Sequence, residues 1–209
     1  MKFDARIKIL TIDDHPLYCD GIAAVIKAQP DMKLVGEAYT GRKALEAFRE
    51  HRPDVTLLDL KLQDSNGLDV LTAIRTDFAD ARIIIRTMFD GDVEIRRALK
   101  AGAASYLLKG MSAENLIKTI RRVHSGEKYI PSEIADNLAE YFGNEMLTPR
   151  ETDVVQLIYA GNRNRDIAEQ LFISEGTVKI HIKNIMEKLG AADRTEAVSI
   201  ALRRGFINL

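Results

Sequence analysis

The sequence has little that would place the protein in a membrane or in an oxidising compartment. It contains one cysteine, Cys19, which excludes a framework of internal disulfides and is more typical of a small core side chain than of a nucleophile. No stretch approaches the roughly 18 consecutive apolar residues of a membrane span, and the N-terminus lacks a signal-like apolar region. The net charge of −1 predicts no strong electrostatic partner for the whole molecule. A cytoplasmic protein without a membrane partner is therefore expected.

The chain is long enough for two domains, since it has 209 residues of which 46% are hydrophobic. Its charge is distributed unevenly. Residues 125–146 contain five acidic residues and one lysine, whereas residues 1–124 and 147–209 are each close to neutral. The predicted organisation is a domain over 1–124, an acidic linker over 125–146 with a short helix from Ser132, and a second domain over 147–209.

A short buried strand is the clearest element of the first domain. Residues 55–58 are apolar or β-branched, too few for a helix, and are bounded by Pro53 and the turn-rich segment 63–67. Strand and helix patterns alternate from residue 7 to residue 124, with five predicted strands. This alternation predicts an α/β fold with a doubly wound, five-stranded parallel sheet. The first helix is predicted to bury Leu17, Ile22, Val25 and Ile26.

Five polar side chains fall at the carboxyl ends of the predicted strands. They are Asp13, Asp14, Asp59, Thr87 and Lys109. In a sheet of strand order 2-1-3-4-5 the first and third strands are neighbours, so the three carboxylates converge. Carboxylates so close repel one another unless a cation intervenes, and hard oxygen ligands suit Mg²⁺. Each residue alone is more typical of a cap, a turn or a surface, but the set predicts a magnesium-dependent site for a phosphoryl group.

Residues 7–124 resemble the receiver domain of bacterial two-component response regulators. The resemblance is carried by residues 12–16, 57–60, 66–67, 87 and 102–109. It implies that Asp59 accepts a phosphoryl group from a sensor histidine kinase. It also implies that Asp14, Asp59 and the backbone carbonyl of Lys61 bind Mg²⁺, with Asp13 helping through water.

The same resemblance implies a switch, and two positions depart from the family's pattern. Thr87 and Lys109 would contact the phosphoryl oxygens, and Tyr106 would change rotamer on activation. The family usually has proline four residues after the acceptor, where this chain has Gln63, so the rigidity of that loop is in question. The residue before the switch hydroxyl is usually apolar but is Arg86 here. An arginine there can act on the electrostatics of the site or on the face that transmits the switch.

The second domain is predicted to be helical. Thr148 and Glu151 form a capping box with proline at the first helical position. Asn164 is predicted to cap a second helix, a third spans residues 175–189, and a fourth runs from Asp193 to Arg204. Four short helices with tight turns suggest a helix-turn-helix module.

The third of these helices has one apolar face and one polar face. The apolar face comprises Val178, Ile182, Ile185 and Leu189. On the other face, Lys179 and Lys183 can reach phosphates or guanine edges. Asn184 can donate hydrogen bonds and Ile180 can touch a thymine methyl group. Alone, such a face is more typical of a solvated amphipathic helix.

Residues 147–209 also resemble a known family, the LuxR-type DNA-binding domains. The matching residues are 147–151, 161, 164, 166–168, 171, 174–181, 188–190 and 194–197. The whole chain is thus similar to a NarL/FixJ-subfamily response regulator. That resemblance implies a phosphorylation-controlled transcriptional regulator that binds double-stranded promoter DNA and forms a homodimer on activation, through its fourth helix. It places Lys179, Ile180 and Lys183 in the major groove and makes Thr177, His181 and Asn184 phosphate contacts.

Two alternatives stay open. An aspartyl-phosphate phosphatase of the haloacid dehalogenase type also ends a strand with a nucleophilic aspartate, but it needs a second acid two residues later, where this chain has Lys61. The other alternative is a DNA-binding protein whose receiver no longer takes phosphate. Gln63 and Arg86, the two departures from the family's pattern, keep this alternative open. The preferred prediction is a phosphoacceptor and not a turnover enzyme, with self-dephosphorylation left open.

Overall fold

The structure is a computed structural model that describes residues 5–207. It divides into two compact units, the first containing residues up to Phe89 together with Ile95–Asp136, and the second containing Asp90–Glu94 and the residues from Asn137 onward. The ends of the two predicted domains, residues 1–4 and 208–209, lie outside the described residues. Within residues 5–207, no helix has the length and apolar character needed to cross a membrane.

The first unit is built around five parallel strands in the order β2-β1-β3-β4-β5. The strands are β1 (Ile7–Ile12), β2 (Met32–Ala38), β3 (Val55–Leu58), β4 (Ile83–Thr87) and β5 (Ser105–Leu108). The helices that follow them are α1 (Pro16–Lys27), α2 (Gly41–His51), α3 (Gly67–Asp77), α4 (Asp92–Lys100) and α5 (Ala113–His124). The alternation of strands and helices and the strand order confirm the predicted doubly wound parallel fold.

Two central strands, β1 and β3, end at the same level of the sheet. All four residues of β3 are buried, as expected of a strand covered on both faces. Ile12 pairs with Leu58, and the N–H of Asp59 donates to the carbonyl of Ile12 at 2.9 Å. Because this register aligns the strand ends, Asp13 and Asp59 emerge side by side at the carboxyl edge of the sheet.

Helix α1 packs on the sheet through a narrower face than the sequence suggested. Ile22 and Ile26 are buried and Val25 is partly buried, but Leu17 is 84% exposed. The prediction that Leu17 faces the core is therefore wrong. With 3.6 residues per turn, the nine positions between Leu17 and Ile26 amount to about two and a half turns, which places these two side chains on opposite faces.

The acidic segment and the second unit contribute five further helices. They are α6 (Ser132–Glu140), α7 (Pro149–Tyr159), α8 (Asn164–Leu171), α9 (Glu175–Leu189) and α10 (Arg194–Arg204). The predicted capping box is present, because Thr148 Oγ1 accepts the N–H of Glu151 at 3.3 Å and the Glu151 carboxylate accepts the N–H of Thr148 at 2.8 Å. The prediction for α8 is wrong by one residue: Arg163 is the N-cap, and its N–H donates to the Asp166 carboxylate at 3.0 Å.

Helix α9 is held in the second unit by its apolar face and by one ion pair. Val178, Ile185 and Leu189 are buried in the core, and Ile182 packs against it. Lys188 Nζ lies 2.8 Å from Glu151 Oε2, which ties α9 to the start of α7. The helix ends at Gly190, whose φ of 66° is a left-handed conformation that glycine adopts without strain.

Candidate functional site

Three carboxylates and one imidazole meet at the carboxyl edge of the sheet. Asp13 and Asp14 directly follow β1, Asp59 directly follows β3, and His15 begins the turn into α1. One ligand atom from each of the four lies within 4.8 Å of the others. Asp13 and Asp59 are only 2% and 4% exposed, so their charges are largely withdrawn from water. Buried carboxylates this close need compensating positive charge.

Lys109 supplies part of that compensation. It follows β5, and its Nζ lies 2.7 Å from Asp13 Oδ2 and 2.8 Å from Asp59 Oδ2. Burial alone would lower the pKa of Lys109, but the hydrogen bonds to Asp13 and Asp59 outweigh it and raise the pKa above its usual value. The lysine therefore stays protonated at neutral pH and bridges the two carboxylates.

The carboxylate cluster still has capacity for a cation. One positive charge on Lys109 faces three carboxylates. Asp14 Oδ1 is buried without a hydrogen-bond donor of good geometry among residues 5–207, although His15 Nδ1 lies 2.7 Å away. An unsatisfied buried carboxylate oxygen beside two further carboxylates fits a hard divalent cation such as Mg²⁺.

Thr87 and Tyr106 occupy the neighbouring strand ends. Thr87 is the last residue of β4 and is fully buried, and its carbonyl accepts the N–H of Lys109 at 2.8 Å. Its hydroxyl accepts a long hydrogen bond of 3.5 Å from the N–H of Phe89, the one such bond to this hydroxyl found within residues 5–207. Tyr106 on β5 is fully buried, and its hydroxyl donates to the carbonyl of Phe89 at 2.8 Å. In the loop after β4, the backbone N–H of Phe89 is thus bound by Thr87 and its carbonyl by Tyr106.

The loop after β3 closes tightly on the backbone of Asp59. Lys61 and Asn66 form an isolated antiparallel bridge, and the N–H of Gly67 donates to the carbonyl of Leu60 at 2.7 Å. A Cβ atom at Gly67 would lie 2.1 Å from the carbonyl oxygen of Asp59, so only glycine fits there. This close approach is the structural reason for a glycine at residue 67.

The predicted DNA-binding residues share the solvent-facing side of α9. Lys179, Ile180 and Lys183 are exposed, with 61% of Ile180 accessible, and Thr177, His181 and Asn184 are half-buried. Lys183 Nζ lies 3.6 Å from Glu187, one helical turn away. Because both side chains are exposed, breaking this ion pair costs little free energy. Thr177 is held at the start of the helix, since its N–H donates to Ser174 Oγ at 3.1 Å.

Comparison with known families now decides the assignment. A family model described as the response regulator receiver domain matches residues 9–121, and a model for bacterial regulatory proteins of the luxR family matches residues 145–201. The chain belongs to the luxR-family response regulators.

Individual relatives match this response regulator over nearly its whole length. The transcriptional regulatory protein LiaR of Bacillus subtilis is 37% identical over 210 residues, covering 97% of this chain and 100% of LiaR. The response regulator protein VraR of Staphylococcus aureus is 36% identical over 208 residues, covering 96% of this chain and 99% of VraR. A solved structure of RcsB dimers bound to DNA has a TM-score of 0.73 at 22% identity, covering 95% of this chain and 98% of that chain; at this identity the likeness shows the fold alone.

The regulator accordingly couples a receiver domain to a luxR-type DNA-binding domain, and it regulates transcription under the control of phosphorylation. The predicted response-regulator family and its general function are thereby confirmed. The phosphatase alternative is set aside, because the relatives are a transcriptional regulatory protein and a response regulator.

Sequence reasoning missed two side chains around this regulator's acidic cluster, His15 and Tyr18. His15 contacts both Asp13 and Asp14, and its position directly after them was the available signal. The ring of Tyr18 lies 4.5 Å from Lys109 Nζ, and the Cζ of Arg86 lies 5.5 Å from the same ring. No spacing rule connects residues 18, 86 and 109, so the sequence could not predict that both cationic side chains lie near the Tyr18 ring.

Arg86 is electrostatically coupled to the acidic cluster. Burial lowers its pKa, while the charges of Asp13 and Asp59 act in the opposite direction. Its Nη2 lies 3.5 Å from the carbonyl of Lys109, and its buried Nη1 has no hydrogen-bond partner among residues 5–207. Of the two roles considered for an arginine at this position, these contacts favour the one that acts on the electrostatics of the site.

Proposed function

We propose that Asp59 is the phosphoacceptor and that a sensor histidine kinase is the donor. The observation that carries the proposal is the position of Lys109 Nζ, 2.7 Å from Asp13 and 2.8 Å from Asp59. A lysine bridging two buried carboxylates at a sheet's switch point supplies the positive charge that a phosphoryl group needs on arrival. In this proposal the receiver domain spans residues 1–124, the linker 125–146 and the DNA-binding domain 147–209.

Asp13, Asp14, Asp59 and the Lys61 carbonyl are proposed to hold Mg²⁺. Bound Mg²⁺ would neutralise charge on the carboxylates and on the phosphoryl oxygens. An oxygen of Asp59 attacks the phosphorus of the kinase phosphohistidine, the phosphorus–nitrogen bond breaks, and the imidazole leaves with the bonding electrons. Because Asp59 is only 4% exposed and lies directly at the strand end, its carboxylate has few orientations to lose before it attacks.

After transfer, two donors stabilise the phosphorylated aspartate. Lys109 donates to a phosphoryl oxygen in place of the Asp59 carboxylate. The Thr87 hydroxyl, which accepts a long hydrogen bond from Phe89, turns to another phosphoryl oxygen. Movement of Thr87 draws in the loop that contains Phe89, whose carbonyl accepts the Tyr106 hydroxyl. Thr87 and Tyr106 are therefore the proposed switch residues.

The DNA-binding step is proposed for α9. Lys179, Ile180 and Lys183 project from its exposed side and suit the major groove, while Thr177, His181 and Asn184 suit phosphate contacts. Since RcsB binds DNA as dimers, we propose that this regulator also forms a homodimer on activation, through α10. The protein is further proposed to act in the cytoplasm, as a phosphoacceptor and not a turnover enzyme.

Phosphorylation of the purified protein by a small acyl-phosphate donor tests the acceptor site. We expect one phosphoryl group per chain, and only when Mg²⁺ is present. Asp59→Asn should abolish labelling because the nucleophilic oxygen is lost, and Asp14→Ala should abolish it by removing a metal ligand. Asp20→Asn, an exposed aspartate on α1, is the matched control and should label normally. Labelling of Asp59→Asn at the parent level would refute the assignment, and an unlabelled parent would favour a receiver that no longer takes phosphate.

A further inference from the structure

The loop between β3 and α3 carries the proposed metal ligand without the proline that usually stiffens it. Residue 63 is glutamine, and the loop's internal backbone hydrogen bonds include one of 3.2 Å from Leu62 N–H to the Ser65 carbonyl. A loop held only by its own backbone would sample several conformations. Each of them moves the Lys61 carbonyl relative to Asp59.

An external contact fixes this loop to a neighbouring helix. Asp64 Oδ1 accepts the N–H of Gly41, the first residue of α2, at 2.7 Å, and its Oδ2 lies 3.5 Å from the N–H of Arg42. The hydroxyl of Ser65 donates to Asp64 Oδ1 at 3.1 Å, which orients the carboxylate. These are charge-assisted hydrogen bonds to backbone groups that lack partners within the helix.

The loop and α2 are in close contact at Gly41. A Cβ atom at Gly41 would lie 2.1 Å from Ser65 Oγ and 2.9 Å from Val70 Cγ2. Helix α2 is itself anchored, because its residues Ala44 and Phe48 are buried. The loop is therefore held against a rigid element by a side chain that reaches across 23 positions of sequence.

We propose that Asp64 is a positioning residue for the metal site. By binding the start of α2 it fixes the loop before the metal arrives, and so replaces the stiffness that a proline at residue 63 would supply. The inference rests on the proposed function of Asp59 and Lys61, and it concerns affinity for Mg²⁺. It predicts that loss of the contact weakens Mg²⁺ binding, because part of the binding free energy must then order the loop.

Calorimetric titration of the full chain with Mg²⁺ alone tests the proposal. Asp64→Ala removes both acceptor oxygens and should weaken Mg²⁺ binding by about three- to tenfold, the factor expected for one hydrogen bond. Asp64→Asn keeps one acceptor for Gly41 and should stay within about twofold of the parent. At saturating Mg²⁺ the phosphorylation rate of both variants should match the parent, since Asp64 touches no reacting atom.

The matched control is Thr40→Ala. Thr40 is the N-cap of α2, and its hydroxyl accepts the N–H of Lys43 at 3.3 Å, so this change weakens the same helix end without touching the loop. Thr40→Ala should bind Mg²⁺ as the parent does. In metal-free protein, the amides of Leu62 and Gly67 should exchange with solvent faster in Asp64→Ala than in the parent or in Thr40→Ala.

Several outcomes would overturn the proposal. Parent-like Mg²⁺ affinity of Asp64→Ala would show that the contact positions nothing. Equal weakening by Thr40→Ala would assign the effect to the helix end, and equal weakening by Asp64→Asn would assign it to the negative charge. If the parent itself binds no Mg²⁺, the proposed metal site is wrong and this inference falls with it. An Asp14→Ala variant that binds Mg²⁺ as the parent does would mean that the metal lies elsewhere, with the same consequence.

Discussion

Single residues set the charge balance at the carboxyl edge of the sheet. Asp13 and Asp59 are nearly inaccessible to water. The ammonium of Lys109, whose side chain is 1% exposed, lies between them. Removal of one member of a buried ion pair is costly because the partner is left charged and desolvated. Here two carboxylates share the same lysine, so its removal leaves two buried negative charges that repel each other.

Replacement of Lys109 by methionine should destabilise the metal-free protein by about 3 kcal/mol or more, the usual cost of breaking a buried pair. Mg²⁺ should recover part of this loss, since the cation takes over the neutralisation of the carboxylates. Urea unfolding with and without Mg²⁺ measures both effects. Lys27→Met, at an exposed position of α1, serves as the control and should change little. A Lys109→Met protein as stable as the parent without Mg²⁺ would mean that the ion pairs contribute nothing.

A second prediction for a single residue concerns the reactivity of the Cys19 thiol. Because the sequence contains one cysteine, any labelling by a thiol reagent reports on this residue. Burial, followed by the charge of Asp13, raises the pKa of its thiol from 9.0 to about 11. The native protein should therefore resist thiol reagents at pH 8 and react with one equivalent after denaturation. Above pH 9 the unfolded thiol loses its proton while the native one keeps it, so this group lowers stability as the pH rises. Rapid labelling of native protein would contradict the burial.

The elements show which features could be predicted from sequence. The apolar run of β3 and the strand order placed Asp13, Asp59 and Lys109 at one edge, because parallel sheets align strand ends. Leu17 was wrongly predicted to face the core because the prediction considered its hydrophobicity and not its angular position around α1. The contacts of Tyr18 with Lys109 and of Asp64 with Gly41 were not predicted, since they join distant parts of the chain and follow no local rule.

Helix α9 yields a prediction for recognition. Alanine at Lys179 or Lys183 should weaken operator binding by about 1–3 kcal/mol and relax specificity at one base pair if the lysine reads a base edge. If the lysine meets only phosphate, binding to all sequences should weaken alike and the salt slope should fall by about one. Lys128→Ala, an exposed charge outside α9, is the control. Binding curves and footprints identical to the parent for both α9 variants would rule out this helix as the reading element.

At the scale of the whole molecule, the phosphoryl group has limited free energy with which to shift an equilibrium. A change from 1:99 to 99:1 requires about 5.5 kcal/mol, and hydrogen bonds to charged groups contribute about 1.5–3 kcal/mol each. In the proposed mechanism, Thr87 would gain such a bond and lose little, since the hydrogen bond that its hydroxyl accepts here is 3.5 Å long. Lys109 would give up its 2.8 Å contact with Asp59 to bind a phosphoryl oxygen, so its net gain in free energy would be smaller. We therefore expect a partial switch, with some operator binding before phosphorylation.

The central claim is that occupation of the Asp59 site raises dimerisation and operator affinity together. The most direct test measures sedimentation and operator binding of one preparation with and without beryllofluoride, beside a Thr87→Ala variant. The parent should shift towards dimer and bind the operator more tightly when beryllofluoride and Mg²⁺ are present, and Thr87→Ala should respond less. The account is contradicted if beryllofluoride occupies the site yet changes neither quantity, or if Thr87→Ala responds as fully as the parent.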